Sequence, residues 1–148
     1  MKLLKLYNWF AGSKSDFIES FRENEKLYMQ AKSFWDKLDN LSIIIFLIFI
    51  VLGISLAAYY YKPYNDKPGR HYTLGHWVLF FFITLFITFA VTFGFEYFAV
   101  KPTLKGAIWL ETKVAICNGL YAVVMYFFTS LAWCNSNLPT NACRIFKK

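Results

Sequence analysis

Four polar side chains, Thr84, Thr88, Thr92 and Glu96, follow one another at intervals of four through an otherwise apolar stretch, and His76 lies two further steps back in the same register. On a helix that spacing forms one ridge about 30 Å long, the depth of a bilayer's hydrocarbon core. Hydroxyls at regular depth followed by a carboxylate suit a cation path: neutral oxygens stand in for water and the negative charge concentrates the ion. The residues between Trp77 and Phe95 are otherwise almost all Phe, Ile, Leu or Val, so the ridge must face protein or a wet cavity.

The same row has a plain packing reading. A membrane Thr can bond its own backbone four residues back, and an interhelical bond contributes only about 0.6 kcal/mol. With 3.6 residues per turn the row drifts by about 40° per step, so Thr84 to Thr92 share a face while His76 and Glu96 leave it unless the helix tilts or coils.

Glu96 sharpens the choice, because an ionised carboxylate costs roughly 2.5 to 3.5 kcal/mol at mid-membrane. It can reach the inner interface, or meet Lys113 or Asn118, which fall at similar depth in the sequence. In a symmetric oligomer with this helix on the axis, its copies would form an acidic ring. Three spans cannot enclose an aqueous path, so that reading requires several chains.

Enzymatic chemistry has little support: there is no His-Glu-x-x-His helix, Gly-x-Ser-x-Gly elbow, phosphate-binding glycine loop or Cys-x-x-Cys pair. His71 and His76, with Asp66, read as polar anchors rather than metal ligands. No catalytic role, cofactor or metal is expected.

These side chains must be positioned by membrane helices. Of 148 residues, 57% are hydrophobic, 22% aromatic and only 17% charged, outside the range of a soluble domain. Three apolar spans are long enough to cross: 41–61, 77–100 and 114–133. About forty mostly polar residues precede the first, which argues against a cleaved signal peptide. The expected fold is an all-α integral membrane protein with three transmembrane helices preceded by a cytoplasmic amphipathic helical segment. Its regions are 1–40, 41–133 and an extracytoplasmic tail, 134–148.

An N-terminus inside puts ten Lys and Arg on the cytoplasmic side against six outside, which favours N-in, C-out in a bacterial inner membrane. The net charge of +7 then reads as attraction to anionic lipid. Nucleic acid is not an expected partner, since six acids are interleaved with the N-terminal basic residues. Cys134 and Cys143 flank a short polar loop after the third span, where an extracytoplasmic disulfide is chemically permitted. Cys117 reads as packing.

In the first forty residues, Leu3, Leu6, Tyr7 and Phe10 repeat at helical spacing beside Lys2 and Lys5, as in a helix lying in the headgroup region. Asp16 with Glu19 resembles a capping pair opening a second helix. Along it Phe17, Phe21, Asn24, Tyr28, Ala31, Trp35 and Leu38 make a heptad seam, either a self-association surface with Asn24 as register residue or a face packed on the protein or the membrane. Asp39, Asn40 and Ser42 suggest a turn before the first span. Within that span Gly53 and Ala57 form a small-residue pair for close helix approach, with Ser55 beside it. Tyr59 to Tyr61, Tyr72, Trp77 and Trp133 would form the outer aromatic belt, with Tyr97 and Trp109 at the inner one. Pro63, Asn65-Asp66 and Pro68-Gly69 read as turns.

In size and layout only, a cytosolic amphipathic helix followed by a few spans resembles the membrane-disrupting effectors of anti-phage defence. That resemblance implies an oligomer closed until a cytoplasmic signal, a protein or small ligand, reaches the N-terminal helices. The expected function is thus a homo-oligomeric channel or pore subunit whose second span lines a cation path. The alternative is a non-conducting scaffold that recruits a partner through its N-terminal helix.

Overall fold

A computed structural model describes residues 3–67, 73–101, 103–104, 106–136 and 141–146. Every regular element among them is helical. A 3-10 turn (Leu4–Tyr7) leads into the single turn of α1 (Asn8–Ala11), followed by α2 (Lys14–Glu19) and the long α3 (Glu25–Tyr59). A π-helical turn (Tyr60–Tyr64) ends α3, and α4 (Leu74–Val100), α5 (Ala107–Cys134) and a terminal 3-10 turn (Asn141–Ile145) complete the order. The α3 helix with its π turn, α4 and α5 are each long and apolar enough to cross a membrane. The expected all-helical, three-span fold is therefore present.

Local chemistry explains the boundaries. Gly12 closes α1 with its N–H on the Asn8 carbonyl and a left-handed φ of 92°, a conformation glycine reaches without steric cost. Ser13, rather than Asp16, is the N-cap of α2: Asp16 N–H donates to Ser13 Oγ, and the Asp16 carboxylate accepts from Ser13 N–H. This is a capping box with aspartate in the third position. Asn24 opens α3 as an N-cap, its Oδ1 accepting from the N–H groups of Lys26 and Leu27. The expected break at Asp39 to Ser42 is absent, and α3 runs through it. Ser42 instead donates to the Asp39 carbonyl at 2.6 Å and accepts the Leu3 N–H at 3.2 Å. At the other end the Asn65 amide caps the Tyr60 carbonyl. The α4 helix stops at Lys101, whose N–H reaches the Tyr97 carbonyl while its left-handed φ of 55° turns the chain out of the helix, an αL cap.

The chain divides into two compact units. The first combines residues 1–48 with 89–118. Its core holds Leu4 and Tyr7 from the N-terminal turn, Ala31, Phe34, Trp35, Leu38 and Ile45 from α3, Val100 from α4, and Leu110, Val114 and Ala115 from α5. Phe17 of α2 lies against Phe34 and Trp35, with ring centroids 5.9 Å from each. The second unit combines residues 49–88 with 119–148. Its core is aromatic: Tyr60, Tyr61, Phe80 and Tyr126 gather with Ala57, Ala142 and the disulfide joining Cys134 to Cys143. Gly53 and Ala122 make a close approach there, because a Cβ on Gly53 would lie 2.7 Å from the Ala122 carbonyl oxygen.

Candidate functional site

Asn118 of α5 is the hub of a buried hydrogen-bond network in the first unit. Its Nδ2 donates to Thr92 Oγ1 of α4 at 2.7 Å and to the Ile45 carbonyl of α3 at 3.0 Å. Its Oδ1 accepts the Tyr7 hydroxyl at 2.8 Å. One side chain thereby ties three long helices to the N-terminal turn, using both amide hydrogens and the carbonyl.

Two acids lie next to this layer. Glu96 follows Thr92 by one turn of α4, and Glu111 precedes Asn118 by seven residues, about two turns of α5. Both are 0% exposed, and none of their four carboxyl oxygens has a hydrogen-bond partner among the described residues. The two groups stand within electrostatic reach of each other. A buried carboxylate without a donor is costly, and two together cost more. Such groups are stable there only with their charge neutralised, by a proton or by a cation. Among the described residues no group of three or more His, Cys, Asp or Glu is placed to hold a metal ion. The groups here are two carboxyls, hard oxygen ligands that suit a proton or a small hard cation rather than a soft transition metal.

The expected ridge is buried within the chain: Thr84, Thr88, Thr92 and Glu96 are each fully enclosed. None presents the open face that an axis between subunits would use. Thr84 bonds back to the Phe80 carbonyl at 2.8 Å, Thr88 Oγ1 is buried without a partner, and Thr92 binds Asn118. The backbone bond expected of a membrane Thr is thus made by Thr84 and an interhelical bond by Thr92. Neither expected partner hydrogen-bonds Glu96. Lys113 holds its Nζ 5.7 Å from the Trp109 ring centroid, and Asn118 spends its donors on Thr92 and Ile45. His76 is half-buried, its ring edge-on to Tyr64, and His71 and Tyr72, like Pro68-Gly69, lie outside the described residues.

The residues expected at an oligomer surface are used within the chain. Ala31, Trp35 and Leu38 are buried, Phe17 and Phe21 are half-buried and in ring contact, and Asn24 caps α3 instead of setting a register. Tyr28 is half-buried, and Gly53 and Ala57 pack inside the second unit. Of the expected aromatic belts, Tyr59, Tyr97 and Trp109 are exposed, whereas Tyr60 and Tyr61 are core.

Glu111, Tyr7 and Ile45 were not among the expected site residues. For Glu111 a signal existed: extending the third span back to Ala107 puts Glu111, Ala115 and Asn118 on one helical face. Compared with protein-family models, with curated proteins and with solved structures, the chain matches none.

Proposed function

We propose that this chain is a multi-pass protein of a bacterial inner membrane, N-terminus cytoplasmic, that binds and passes a small cation, a proton or a monovalent metal ion, at Glu96 and Glu111. The observation that carries the reading is the two acids themselves: two fully buried carboxyls of one compact unit, without hydrogen-bond donors among the described residues. Membrane interiors tolerate such groups where they handle charge. Within the same unit the Thr92 hydroxyl adds a neutral oxygen one turn from Glu96 along α4. Because Glu96 and Glu111 belong to one chain, this site needs no axis between subunits. A gated effector that dissipates a membrane gradient would use the same site.

The scaffold alternative is weakened by the burial of Ala31, Trp35 and Leu38, which leaves little of the heptad seam for a partner. Flux of protons and of potassium from liposomes, measured for wild type, Glu96→Gln and Glu111→Gln at matched incorporation, tests the proposal. Flux that falls at least tenfold in both variants supports it, and flux indifferent to both contradicts it.

A further inference from the structure

We infer that residues 3–11 form a plug over the Glu96 and Glu111 site, latched by the hydrogen bond from Tyr7 to Asn118. The inference rests on the cation reading above and supplies its regulation. A 3-10 turn plus one turn of helix is too short to hold itself, since nucleation is unfavourable and few bonds follow it. Long-range contacts hold it instead. Leu4 and Tyr7 are buried, the Leu3 N–H reaches Ser42 Oγ, and the Tyr7 hydroxyl reaches Asn118 across 111 residues of sequence.

The register of the helices sets where the segment lies. Thr92 and Asn118 are bonded, and from that layer Glu96 lies toward the end of α4 and Glu111 toward the start of α5. Both acids are therefore on the same side of the hub. Ser42 precedes Ile45 by about one turn of α3, and the Ile45 carbonyl is on the hub. The N-terminal segment, bonded at Ser42 and at Asn118, occupies that same side and sends Tyr7 as deep as the hub layer.

The attachment suits a plug that can leave. Leu6, Trp9 and Phe10 face outward, 48%, 64% and 42% exposed, an apolar face at home in the headgroup region. Moving off the hub therefore does not force these side chains into water. Gly12, with its left-handed φ and no atom within 4 Å of a would-be Cβ, is a joint where the segment meets α2. The latch is one neutral hydrogen bond, whose loss corresponds to a change of about fivefold in a closed-to-open equilibrium.

The test is cation flux in liposomes for wild type, Tyr7→Phe, Leu4→Ala, Trp9→Ala and Tyr7→Phe combined with Glu96→Gln. Tyr7→Phe keeps the ring and removes the latch; Leu4→Ala loosens the buried face of the segment without touching Asn118 or the acids. The expected result is flux raised about fivefold by Tyr7→Phe and raised at least as much by Leu4→Ala, which empties a buried site, no rise with Trp9→Ala, and loss of the gain when Glu96→Gln is added. Flux that depends on Glu96 but is unchanged in both Tyr7→Phe and Leu4→Ala overturns the plug and leaves the cation site standing. Absence of Glu96-dependent flux in every variant overturns both.

Discussion

Asn118 and Thr92, 26 residues apart in sequence, meet through a 2.7 Å hydrogen bond inside the first unit. With the Ile45 carbonyl and the Tyr7 hydroxyl, that bond makes Asn118 the residue on which α3, α4, α5 and the N-terminal turn agree. Replacement by Leu keeps the γ-branched shape and removes all three bonds. At about 0.6 kcal/mol per bond in a membrane setting, the expected loss is roughly 2 kcal/mol. Denaturant-induced unfolding in detergent micelles checks it, and Cys117→Ala, a neighbour that makes no part of the network, serves as comparison.

Gly53 offers a test of packing in the second unit. A Cβ there would stand 2.7 Å from the Ala122 carbonyl oxygen and 2.8 Å from Met125 Cβ, whereas a Cβ on Gly94 would meet nothing within 4 Å. Gly53→Ala should lower stability by about 1 to 3 kcal/mol through overpacking. Gly94→Ala should leave it unchanged or raise it by up to about 1 kcal/mol. Thermal unfolding of the two variants side by side reads the difference.

Much of the fold was legible because length and apolarity force it: chains of this composition have few ways other than helices to satisfy the backbone in lipid. The four-residue ridge was legible too, since its periodicity is local. Its direction was not, because whether Thr92 faces another chain or its own depends on Asn118, whose contact with it no local pattern reports. The same limit hid the Tyr7 contact, made across 111 residues. The heptad seam shows the ambiguity from the other side, for Ala31, Trp35 and Leu38 have the spacing of a coiled coil and are consumed by the chain's own core. Glu111 was missed for a simpler reason. Starting the third span at Val114 left Glu111 in a loop, whereas α5 begins at Ala107.

Acid should reach the capping box of α2 only at a pH below the ordinary aspartate range. Hydrogen bonds from the Ser13 side chain and backbone hold the exposed Asp16 carboxyl below its ordinary range. A carboxyl depressed in the folded state stabilises it above the unfolded-state value and loses that contribution as pH falls through the folded one. NMR titration should place the Asp16 midpoint below that of an unstructured peptide, and Ser13→Ala should return it toward the ordinary range.

The acid pair itself is tested most directly by a double-mutant cycle on cation flux, using Glu96→Gln, Glu111→Gln and the two together, with Tyr7→Phe as the common background. If the carboxyls hold one ion between them, either single substitution abolishes most of the flux and the double adds little, as for groups that act as a unit. Flux losses that simply multiply, or a single variant that conducts like its parent, would contradict a shared site.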